Sequence, residues 1–104
     1  MKITKIKEIA ERLGWEVDER DDGTVELRNY SPAGEDISFT VNAKEAAKEI
    51  YECYNGFDVD EHIEMWIEAR ENGVPGVPST RRLVEDAEDI SEMLKELAGA
   101  VMDA

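Results

Sequence analysis

The 104 residues carry 26 Asp and Glu against 12 Lys and Arg, a formal net charge of −14. Phosphates attract cations, so this balance argues against direct binding to nucleic acid or to an anionic membrane surface. A single cysteine, Cys53, excludes an intrachain disulfide, and a free thiol within an apolar helical pattern fits a reducing, cytoplasmic setting.

The length suits one domain over 1–104, with a modest core that needs no metal or disulfide. The stretch Lys2–Glu8 has no uninterrupted apolar run, so neither a secretory leader nor a membrane span is expected. The acidity is uneven. Residues 50–104 hold 14 acidic and 4 basic side chains, a net −10 out of the total −14.

Ile3, Ile6, Ile9, Ala10 and Leu13 recur at helical spacing, and Gly14 follows as a C-terminal cap. A first helix is therefore expected from about Thr4 to Leu13. The period then changes to two. Trp15 and Val17 alternate with Glu16 and Asp18, Asp21-Asp22-Gly23 reads as a hairpin turn, and Val25 and Leu27 return between polar neighbours. After the loop Ser31–Gly34, a third alternating strand holds Ile37, Phe39 and Val41. Such a meander has one apolar face, which helices must cover.

Asn42 and Glu45 have capping-box spacing and open a second helix, which ends at Asn55-Gly56. Asp58 and Glu61 repeat that spacing and open a third, which ends at Asn72-Gly73. Ser79 caps a fourth. There Leu83, Ala87, Ile90, Leu94, Leu97 and Val101 form a continuous apolar stripe, suited to internal packing or to a seam between subunits. Because a half-covered sheet needs helices, internal packing is expected. The expected fold is thus α+β, in the order α-βββ-ααα: a three-stranded antiparallel sheet with one face covered by helices.

The stretch "FDVDEHIEMWIEAR" (Phe57–Arg70) holds the only histidine. On a helical wheel Val59, Ile63 and Trp66 share one face, and His62 lies at its edge beside Ala69. Asp60, Glu61, Glu64, Glu68 and Glu71 fall on the other, so the helix's carboxylates do not converge on His62. Asp58 and His62 have a permitted metal-ligand spacing. However, a structural zinc takes four ligands, usually thiolate or imidazole, and the calcium-loop pattern is missing. No metal and no cofactor are expected. Cys53 and His62 are the one available thiol–imidazole pair, without the framework that nucleophilic catalysis needs, so no enzyme is expected.

Arg70 shares the sector of Ile63 and Trp66. It is expected to snorkel outward or stack on Trp66, the alternative being a buried clamp to a carboxylate. Arg81 and Arg82 oppose the dipole in a first turn, an effect that pairing with Glu85 or Asp86 offsets.

The functional candidate is a pattern. Asp60, Glu61, Glu64, Glu68 and Glu71 line the third helix, and Glu85, Glu88, Asp89, Glu92 and Glu96 line the fourth. Carboxylates one helical turn apart, roughly 5 to 6 Å, repeat on a scale comparable with phosphates along a nucleic-acid strand. An acidic outer face is also what any amphipathic helix of an acidic protein presents, so spacing alone does not separate a binding stripe from a solubilising one.

The segments "LGWEV", "YSPAGEDISF" and "FDVDEHIEMWIEARENGVPGVPSTRRLVEDAEDI" together resemble small proteins of phages and mobile elements of Firmicutes-type bacteria. In size and charge the chain is similar to DNA-mimic inhibitors of host defence, including anti-CRISPR proteins. That resemblance implies a non-enzymatic inhibitor in the bacterial cytoplasm. Its partner would be a basic nucleic-acid-binding host protein, a CRISPR effector nuclease foremost, and it would act as monomer or homodimer. The alternative is an accessory interaction module that works through homodimerisation or an apolar interface.

Overall fold

The computed structural model describes residues 2–104. The order is α1 (Ile3–Arg12), β1 (Glu16–Glu19), β2 (Thr24–Tyr30), β3 (Asp36–Asn42), a 3₁₀ turn (Ala43–Glu45), α2 (Ala46–Gly56), α3 (Val59–Glu71) and α4 (Thr80–Met102). The expected α+β architecture is the observed one, with a sheet in the order β1-β2-β3, antiparallel throughout.

Helix ends follow local chemistry. At the end of α1 the Gly14 N–H donates to Glu11 O and the Trp15 N–H to Ala10 O, with Gly14 at φ +94°. At the end of α3 the Gly73 N–H donates to Arg70 O and the Val74 N–H to Ala69 O, with Gly73 at φ +83°. Both are paired-bond caps that place one residue in the left-handed region, where a side chain costs about 1 kcal/mol. The Asp58 carboxylate accepts from the Glu61 N–H at 3.1 Å and the Ser79 hydroxyl accepts from the Arg82 N–H at 3.4 Å, as the sequence predicts.

The expected capping box at Asn42 is not formed. Asn42 Oδ1 accepts from the Lys44 N–H at 2.9 Å and caps the 3₁₀ turn, so α2 starts at Ala46. The Asn42 N–H donates instead to Glu49 Oε1 at 3.2 Å. Asn42 is the last residue of β3, and the tighter 3₁₀ coil turns the chain from strand into helix within three residues.

Strand register gathers the apolar side chains. Val17 faces Leu27, which faces Phe39, and Val25 faces Val41. Trp15 meets the Phe39 ring edge-on at 5.7 Å. Over this face pack Ile6, Ile9 and Ala10 of α1, Ala46 and Ile50 of α2, and the stripe Ile90, Leu94, Leu97 and Val101 of α4. The α4 stripe is therefore used inside the chain. α3 is different: it packs against α4, yet none of its residues is buried. It lies at the margin of the core, and polar contacts help hold it there.

Candidate functional site

All ten carboxylates of the predicted stripes are exposed: Asp60, Glu61, Glu64, Glu68 and Glu71 on α3, and Glu85, Glu88, Asp89, Glu92 and Glu96 on α4. Among the described residues only Glu85 has a cationic partner, Arg81 at 3.6 Å, and that pair is too exposed to contribute much. The other nine face solvent without an ion pair. The surface they form is strongly negative because no local cation neutralises it.

A second constellation lies on the inner side of α3, and Glu35 is its centre. The loop between β2 and β3 is a tight turn built on the buried Ser31. The Gly34 N–H donates to Ser31 O, the Glu35 N–H to Ser31 Oγ, and the Ser31 N–H to Glu35 O. This fixes the root of the Glu35 side chain. His62 and Trp66, four apart on α3, reach the same carboxylate. His62 Nε2 lies 3.2 Å from Glu35 Oε2, and Trp66 Nε1–H donates to Glu35 Oε1 at 3.2 Å. One carboxylate thus ties the sheet's loop to two positions on the marginal helix.

Asp86 of α4 completes the group. It occupies a core-facing position between Leu83 and Ala87 and is only 8% exposed. Its Oδ1 has no hydrogen-bond partner; Arg28 Nε, on the sheet's polar face, is the other such buried atom among the described residues. Ligand-capable atoms of Glu35, His62 and Asp86 all lie within 4.8 Å of one another. Burial, then the neighbouring Asp86, raises the Glu35 pKa above the ordinary carboxyl value, against the opposing effect of His62 and Trp66.

Two clefts adjoin this group. One, of about 370 Å³, is walled by Gly34, Glu35, Trp66, Pro78, Arg82 and Asp86. The other, of about 230 Å³, has Ile37, Cys53, Phe57, His62 and Ile90 among its walls. Cys53 makes no hydrogen bond to His62, and burial raises its pKa, which leaves little thiolate at neutral pH. The thiol–imidazole pair considered from the sequence is therefore not assembled.

As expected, the carboxylates of α3 itself do not converge on His62; the one it contacts is Glu35 of the β2–β3 loop, with Asp86 of α4 within 4.8 Å. Arg70 runs outward, the first of the expected placements, rather than stacking on Trp66 or clamping a carboxylate. It is exposed and donates to Pro78 O at 3.4 Å and Thr80 Oγ1 at 3.0 Å, bracing the start of α4. Glu35 and Asp86 are the residues that sequence reading missed as site members. The available signal was Asp86 itself, a carboxylate in the apolar stripe three residues after Leu83. No family model, curated protein or solved structure matches the chain, so a functional reading rests on its own charge and geometry.

Proposed function

We propose that this protein is a non-enzymatic acidic binding protein that covers a basic, nucleic-acid-binding surface of a protein partner and so excludes nucleic acid from it. The observation that carries the reading is the set of ten exposed carboxylates on α3 and α4, nine of them without an ion pair. Held on two packed helices, these charges are pre-arranged, and binding requires little ordering of backbone. A CRISPR effector nuclease is a partner of this class, with a long basic channel for nucleic acid.

The large exposed apolar residues give less support to an apolar interface. Tyr30, Tyr51, Met65, Val74 and Met102 sit on five different segments, and α4's stripe is already buried. The test is an inhibition assay. Added in excess, the chain should block guide-directed DNA cleavage by such a nuclease. The combined variant Glu61→Gln, Glu64→Gln, Glu68→Gln, Glu71→Gln should lose at least tenfold in potency with an unchanged circular dichroism spectrum. Equal potency of the two proteins would remove α3 from the interface.

A further inference from the structure

We propose that Glu35, His62 and Asp86 form a divalent transition-metal site, and that Zn²⁺ is the cation suited to it. The site goes beyond the acidic-surface reading, since none of its residues belongs to the exposed stripes.

The donor set is one imidazole nitrogen and two carboxylates from three separate elements: the β2–β3 loop, α3 and α4. Mg²⁺ and Ca²⁺ take six or more oxygen ligands, whereas an imidazole with carboxylates suits Zn²⁺. Zinc bonds of about 2.0 to 2.2 Å at tetrahedral angles set donor atoms roughly 3.3 to 3.6 Å apart. His62 Nε2 and Glu35 Oε2 are already 3.2 Å apart. The Asp86 donor lies within 4.8 Å of both, so a side-chain adjustment on the order of 1 Å brings it into the shell.

The second observation is Asp86 itself. It is more than nine-tenths buried, its Oδ1 lacks a partner, and it walls the same cleft as Glu35. A buried carboxylate oxygen without a donor is costly unless a cation or a proton meets it. Arg82 also walls that cleft, one turn before Asp86, but forms no ion pair with it. The cleft beside Glu35 and Asp86 has room for a water or an anionic group, the kind of ligand that completes zinc sites with three protein ligands. A bound ion would join α3, which buries no residue of its own, to α4 and the sheet.

The probe is ZnCl₂ titrated into the intact chain, followed by calorimetry and by ¹⁵N spectra of the single histidine. One saturable zinc per chain is expected, with a shift of the His62 Nε2 resonance and a higher melting temperature. Asp86→Asn keeps the side-chain shape and His62→Ala removes the nitrogen ligand; each should weaken binding at least tenfold. Glu64→Gln with Glu68→Gln, on the outer face, should leave it unchanged. Circular dichroism identifies any variant that fails to fold, and the histidine spectrum of the native chain needs no variant. The proposal is overturned by the lack of a saturable zinc site, by binding that leaves His62 unshifted, or by undiminished binding in a folded Asp86→Asn chain.

Discussion

Glu35 Oε2 lies 3.2 Å from His62 Nε2, across 27 positions of sequence, and the other oxygen of the same carboxylate accepts from Trp66. This clasp connects the β2–β3 loop to a helix that buries none of its residues. α3 should therefore be the least protected of the helices flanking α4, because few apolar contacts oppose its local opening. Hydrogen exchange should be faster for amides of 63–71 than for the α4 amides around Leu94 and Leu97. Trp66→Phe removes one hydrogen bond to a carboxylate, costing about 1 to 2 kcal/mol. It should speed exchange in α3 and leave the centre of α4 unaltered. Equal acceleration in both helices would show that α3 opens only with the whole fold.

Asp86 should reduce stability in the absence of metal. Replacing a buried carboxylate that keeps an unsatisfied oxygen with an apolar side chain of similar size typically stabilises, here by about 1 to 3 kcal/mol. Asp86→Leu should accordingly raise the urea midpoint in buffer containing chelator. A lower midpoint would mean that Asp86 has a stabilising partner in the fold.

Leu97 marks the opposite case. It is fully buried in the cluster that joins the sheet to α1, α2 and α4. Leu97→Ala should cost about 2 to 5 kcal/mol and lower the melting temperature by roughly 10 °C or more. A shift of only a few degrees would place the core elsewhere. Arg70→Ala, which removes two exposed hydrogen bonds, should cost less than about 1 kcal/mol.

Burial raises the Cys53 pKa, so the folded chain holds the thiol proton more tightly than the unfolded chain does. The group's contribution to stability is complete below the unfolded thiol's pKa and declines as pH rises from there through the folded value. Cys53→Ala should lessen the loss of stability between pH 8 and about pH 10. Cys53 should react slowly with a disulfide reagent at neutral pH and much faster in denaturant. An equally fast reaction in the folded chain would contradict its burial.

Most of the fold was legible because its determinants are local. The alternation around Val25 and Val41, the turn at Gly23, the caps at Asp58 and Ser79 and the α4 stripe each depend on residues within a few positions. The Asn42 capping box failed because β3 extends to Asn42, and sequence spacing does not report where a strand ends. The acidic stripes were also legible, since exposure follows from helical period. The Glu35–His62–Asp86 group was not. Glu35 follows a polar loop and His62 lies at the edge of an amphipathic face, so each has an ordinary local explanation, and only Asp86, an acid within the apolar stripe, stands out. Only the tertiary packing of three elements brings them together. The outward course of Arg70 was legible, but its partners Pro78 and Thr80 were not, as they belong to a loop and helix start whose path the wheel does not contain.

The most direct test of the acidic-surface account is the ionic-strength dependence of partner binding, measured by calorimetry for the native chain and for the variant carrying Gln at positions 61, 64, 68 and 71. Exposed charges are screened over about 10 Å at 0.1 M salt. Native affinity should therefore fall steeply as salt rises, and the variant should bind more weakly with a shallower slope. Native affinity that is insensitive to salt, or identical slopes for the two proteins, would contradict the claim that these carboxylates meet a basic surface.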